Sequence, residues 1–199
     1  MKIVIIGASG AVGRTAVQAL SGRHDVVTVG KTSGDIQADI EDISSIQALY
    51  QRVGKIDAMV CAVGHGHFGP VKDMTTKDFL KGINGKVMSQ VNLVLAGFDY
   101  MNDGGSFTLT SGVLNRDPIR GGAAAAAANG AIDGFVKGAA VDMPRGIRIN
   151  AVSPEVLETS RQKYDGFFRG HTHVSDEAVG LAYSKSVEGC LTGQVFIVE

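Results

Sequence analysis

At 199 residues with 44% hydrophobic content, the chain suits one domain with a sizeable core, and its composition offers no reason to divide it. Nineteen basic against twenty acidic residues give a formal charge of -1, which leaves no bulk electrostatic case for nucleic acid or an anionic membrane. Two cysteines, Cys61 and Cys190, are too few and too far apart to suggest a disulfide scaffold or a metal knuckle, and the longest apolar runs fall well short of a membrane span. The opening "MKIVIIGASG" turns into a glycine loop too soon for a secretory leader, so a cytoplasmic protein is expected.

"KIVIIG" is a nearly continuous apolar run ending in glycine, the pattern of a strand buried on both faces of a parallel sheet. A helix follows from about Val12 to Leu20, then "HDVVTVG" as a second strand and "GDIQADI" as a short third one. "SSIQALYQRV" reads as a helix and "KIDAMVCAVG" as a fourth strand that buries Cys61 as a free thiol. From about Thr76 to Phe98 the pattern is that of a long helix, weakened by Gly82 and Gly85. "GSFTLTSG" is strand five, Ala123–Val141 an alanine-rich helix, and "GIRINAVSP" strand six. Residues 156–175 carry no clear pattern. "SDEAVGLAYSKSV" is a helix that Ser175 can cap, and "LTGQVFIVE" closes the chain as a strand. The alternation predicts an α/β, three-layer Rossmann-like domain over 1–199, with a mostly parallel, seven-stranded doubly wound sheet. Ligands in such sheets bind beyond the carboxyl ends of the strands.

The loop after the first strand is "GASGAVG", with Gly7, Ser9, Gly10 and Gly13. Glycines there let the backbone approach a pyrophosphate, while the following helix offers unpaired N–H groups and its dipole. After strand two, "TVGKTSG" lacks the acidic residue that would hold a ribose hydroxyl. It offers Lys31, Thr32 and Ser33 instead, which favours the 2'-phosphate of NADP over NAD. Asp39 either accepts from an adenine amino group or caps the next turn.

In this order along the chain, these pieces resemble the short-chain dehydrogenase/reductase family over nearly the full length. "GASGAVG" is similar to that family's cofactor loop, "ADI" (38–40, with Asp39 and Ile40) to its adenine-contacting segment, and "CAVG" (61–64, with Val63 and Gly64) to its loop after strand four. "IRINAVSP" is similar to the sequence that leads to the proline near the nicotinamide, here Pro154. The resemblance implies a substrate-binding serine at Ser111 and a helical asparagine supporting a proton relay at Asn84. It also implies a short substrate-covering segment at 156–175, and a homodimer or homotetramer formed through the two long helices.

The same resemblance exposes a loss. The positions of the family's tyrosine and lysine are taken by Ala125 and Asn129, and no tyrosine occurs from 101 to 163. Asn129 can still hydrogen-bond a ribose hydroxyl, but it carries no charge. Other proton carriers are His65 and His67, beyond strand four, and Tyr164, His171 and His173 in the covering segment. His65 and His67 alternate in direction, so no metal site is expected. Two functions follow. One is an atypical oxidoreductase using NADP(H) on a small carbonyl or alcohol, with Ser111 and Asn84 in catalysis. The other is a catalytically inactive NADP(H)-binding sensor or scaffold.

Overall fold

Strand β1 (Lys2–Ile6) is buried at every position after Lys2, on both faces. Such a strand needs hydrogen-bonded neighbours on each side and helices above and below. It has both, pairing in parallel with β2 (Asp25–Gly30) and β4 (Ile56–Cys61). The computed structural model describes residues 1–199. Its main sheet has seven strands in the order β3-β2-β1-β4-β5-β6-β9, all parallel. The remaining members are β3 (Ile36–Gln37), β5 (Met101–Thr110), β6 (Arg148–Pro154) and β9 (Val195–Val198).

Helices cover both faces. Helix α1 (Ala11–Leu20) packs against α6 (Asp176–Glu188) over a core built around Ile3, Ile5, Val60 and Tyr183. The other face carries α2 (Ile43–Val53), α4 (Ser89–Gly97) and α5 (Ala123–Ala139) over a larger core that includes Ile46, Met59, Phe107 and Ile132. Ser175 caps α6 by accepting from the Ala178 amide at 3.1 Å, and Cys61 is buried in β4.

Two expected elements come out differently. The third strand is only two residues long, so Asp39 lies beyond it rather than ending it. The long helix is broken in phase: α3 (Thr76–Gly82) passes into a π-helical turn, Ile83–Met88, before α4 begins. Such a turn inserts extra residues per revolution and rotates every later side chain about the axis. The patternless 156–175 region folds as β7 (Val156–Leu157), a 3₁₀ stretch over Glu158–Tyr164 and β8 (His173–Val174), with β7 and β8 paired in parallel.

Candidate functional site

The loops after β1, β4, β5 and β6 open into a cleft of about 240 Å³ at the carboxyl edge of the sheet. Its floor is lined by Ala11, Val63, Ser111 and Pro154, while Ser160, Tyr164 and Phe168 of the 156–175 segment close over it.

The glycine loop brings Gly7, Ser9, Gly10 and Gly13 together. Gly10 donates to the Gly7 carbonyl at 2.9 Å and stands at the N-cap of α1, where no side chain caps the helix. A Cβ on Gly13 would lie 2.0 Å from the Gly7 oxygen, so only glycine lets α1 start this close to the loop. The bare amino end of α1 therefore faces the cleft, the arrangement that suits a pyrophosphate.

On the adenosine side, Lys31 Nζ lies 2.7 Å from Asp39 Oδ2. The hydrogen bond raises the Lys31 pKa and lowers that of Asp39. The two residues expected to hold opposite ends of an adenosine thus hold each other. Thr32 is exposed, and the Ser33 hydroxyl donates to Ser9 Oγ at 3.2 Å. Ile40 is 5% exposed, and its side chain belongs to the core rather than to the cleft.

At the other end, Ser111 is 4% exposed and its Oγ has no hydrogen-bond partner. A buried hydroxyl left open toward a cleft is what a bound oxygen would complete. Asn129 projects from α5 into the same place. Its Oδ1 accepts from Lys86 Nζ at 2.6 Å, and the same ammonium donates to the Ser111 carbonyl at 2.7 Å. Lys86 comes from the π-helical turn, and its stem runs over Gly64, where a Cβ would meet Lys86 Cγ at 2.5 Å. Burial lowers its pKa to about 8, with the Asp133 carboxylate opposing the shift. An ammonium from the neighbouring helix thus stands beside Asn129 of α5.

Asn84 lies apart from this group. It is exposed and absent from the cleft lining, because the π-helical turn directs Lys86, two residues on, toward Ser111. The single sequence sign of Lys86 was that it stands alone as a charge in "KVMSQVNLVLAG". Gln90, one turn further, clamps the end of β5. It donates to the Thr110 carbonyl at 2.9 Å and accepts from the Thr110 amide at 2.8 Å.

Of the histidines, His65 is 60% exposed and 4.0 Å from Glu41, and His67 lies 3.7 Å from Asp78. Neither lines the cleft. His171 does hold the covering segment down. Its Nδ1 is 3.0 Å from Oε1 of Glu155, which follows Pro154 in the cleft wall, and 3.6 Å from Asp117 Oδ2. Phe168 stacks edge-on against the same imidazole.

Comparison with known proteins bears on the family and the fold. The profile described as enoyl-(acyl carrier protein) reductase matches residues 1–181. A hydroxynaphthalene reductase of Aspergillus fumigatus is 30% identical over 155 residues, 74% of this chain and 57% of its own. The chain therefore spans little more than half the length of that relative. The crystal structure of lin1944 from Listeria innocua superposes with a TM-score of 0.98 at 48% identity over the whole of both chains. A small-chain dehydrogenase solved in complex with NADPH shares the fold, with a TM-score of 0.85 at 24% identity over 100% of this chain and 96% of its own. No helix is long and apolar enough to cross a membrane. With its glycine loop, its parallel sheet and the match to 1–181, the chain belongs to the short-chain dehydrogenase/reductase family of oxidoreductases.

Proposed function

We propose that the protein is an NADP(H)-dependent, cytoplasmic reductase of a small carbonyl compound, in which Lys86 replaces the proton-handling group absent from α5. The observation that carries this reading is the placement of Lys86 Nζ 2.6 Å from Asn129 Oδ1, beside the unpartnered hydroxyl of Ser111. When bound, a nicotinamide cofactor supplies the hydride. The bare end of α1 and the loop Gly7–Gly13 would hold its pyrophosphate, Val63 and Gly64 would pack on its adenosine side, and Pro154 would stand near the nicotinamide. Lys31, with Thr32 and Ser33, takes the 2'-phosphate once Lys31 turns from Asp39, which favours NADP over NAD. The fold relative crystallised with NADPH supports that preference.

Ser111 Oγ donates to the substrate oxygen, where negative charge develops. The Lys86 ammonium then gives that oxygen its proton and is left as a neutral amine, which solvent reprotonates. A pKa of about 8 keeps most of the amine charged at neutral pH while leaving the proton transferable. Tyr164 and Phe168 keep water out over the reacting carbon. The reductase named among the relatives supports the direction of the reaction. A homodimer or homotetramer through α4 and α5 belongs to the same reading, and light scattering reads it directly.

The test is NADPH oxidation by purified protein against a panel of small aldehydes and ketones, with wild type beside Lys86→Met. Turnover that disappears in the variant supports the reading. Equal rates in the two proteins would sink it. Tight NADPH binding without turnover on any carbonyl would favour the sensor, the reading motivated by Ala125 and Asn129.

A further inference from the structure

A buried acid backs this site on the same face of α5. Asp133 lies one turn beyond Asn129, so the two side chains leave the helix on one face. It is 8% exposed, and its one hydrogen bond is accepted from the neutral amide of Asn115, Nδ2 to Oδ2 at 2.6 Å. Asn115 sits in the 3₁₀ turn that follows Ser111. The other oxygens of the pair, Asp133 Oδ1 and Asn115 Oδ1, are both buried and both without a partner.

That pattern is unfavourable as architecture. Two buried acceptors are left unmet, each deprived of the water it would otherwise bind. An asparagine at 133 would remove the defect, because its amide could donate to Asn115 Oδ1 while its oxygen accepts from Asn115 Nδ2. What only the carboxylate brings is charge. Two titratable side chains oppose the lowering of the Lys86 pKa, the Asp133 carboxylate from α5 and the Cys61 thiol from β4. Burial pushes Cys61 up to about 12, so at neutral pH that thiol is uncharged, which leaves Asp133 as the acidic side chain opposing the burial of the Lys86 charge.

We propose that Asp133 is a positioning residue, a fixed counter-charge one turn behind Asn129 that keeps the Lys86 ammonium in the cleft. It touches neither substrate nor cofactor and acts through Lys86. The inference rests on the reading that Lys86 is the charge-bearing group of the site. It adds the reason that charge survives burial.

The experiment reads Lys86 itself. Protein labelled at lysine ¹³Cε is titrated by NMR, with the Lys86 signal assigned from its loss in Lys86→Arg. Wild type should show a midpoint at about 8. In Asp133→Asn the midpoint should fall by about one pH unit or more, and Asp133→Glu should restore it. Thermal unfolding of Asp133→Asn should hold its midpoint or rise, since the new amide replaces one orphan oxygen with a donor and gives Asn115 Oδ1 a partner. Asp133→Ala provides a second neutral variant and should lower the Lys86 midpoint in the same direction.

An unchanged Lys86 midpoint in the neutral variants would overturn the proposal. So would a purely structural result, in which Asp133→Asn lowers thermal stability and Asp133→Glu fails to rescue the titration. Turnover plays no part in this readout. A shifted midpoint in a protein that reduces no carbonyl would support the pairing while defeating the catalytic reading.

Discussion

Lys86 Nζ and Asn129 Oδ1 meet at 2.6 Å, although they come from different helices and are separated by 43 positions in the chain. The contact puts an ammonium where α5 provides only a neutral amide, and it fixes that amide so that Nδ2 faces away from the lysine. Removing the charge should therefore abolish chemistry with limited effect on folding. Lys86→Met removes a buried charge, which favours folding, but leaves the Ser111 carbonyl and Asn129 Oδ1 unpaired, which opposes it. The expected outcome is a rate lower by about 10²–10⁴-fold with a thermal midpoint near that of wild type. Calorimetry beside steady-state kinetics separates the two.

The rate of carbonyl reduction should depend on pH through the same group. Only the ammonium can give a proton, so kcat should be level below about 8 and fall above it, about tenfold per unit. Alcohol oxidation should show the opposite limb. Stability should follow with its own sign. Between about 8 and the ordinary lysine value of 10.5, the unfolded chain holds a proton that the folded one has lost, so stability rises with pH across that window. Urea midpoints of wild type should rise on going from about pH 7 to about pH 9, and Lys86→Met should lack this contribution.

Ser111→Ala should separate function from folding sharply. The hydroxyl is buried and makes no hydrogen bond, so its loss leaves no partner stranded. Stability should be unchanged within error, while kcat drops by about 10²–10³ if Oγ holds the developing oxyanion. An unaltered kcat would remove Ser111 from the reaction.

The Lys31–Asp39 pair sets a different prediction. Both side chains are substantially exposed, so the pair adds little to stability, but it holds Lys31 away from any phosphate. Lys31→Glu should weaken NADPH binding by about tenfold or more and leave NADH nearly unaffected. Asp39→Asn should do the reverse and tighten NADPH. Fluorescence titrations with the two cofactors decide the matter.

His171 anchors the covering segment through Glu155 at 3.0 Å, with Phe168 packed on its ring. His171→Ala should loosen the segment and let water reach the cleft. We expect a raised KM with a smaller change in kcat, together with faster limited proteolysis between Glu158 and Gly170. Proteolysis at the wild-type rate would show that the segment is held by other contacts.

Much of this protein was legible along the chain because the relevant physics is local or periodic. Doubly buried strands such as "KIVII" announce a parallel sheet, a glycine loop between strand and helix announces a phosphate-binding turn, and Ser175 announces the start of α6. These signals determined the architecture and placed the glycines at the cleft, while the family resemblance pointed to Ser111 and Pro154 there. The family resemblance added the expectation of an altered α5, with Ala125 and Asn129 at the two positions. Which charge stands beside Asn129 was decided only in three dimensions. A π-helical turn rotated Asn84 outward and Lys86 inward, a change of phase that a regular 3.6-residue reading does not anticipate. The pairings Lys86–Asn129, Lys31–Asp39, Glu155–His171 and Asn115–Asp133 join residues 8 to 43 positions apart. Periodicity within one element says nothing about which side chains of different elements will meet. Packing the sheet and its helices settles that, and with it the charge at the centre of the cleft.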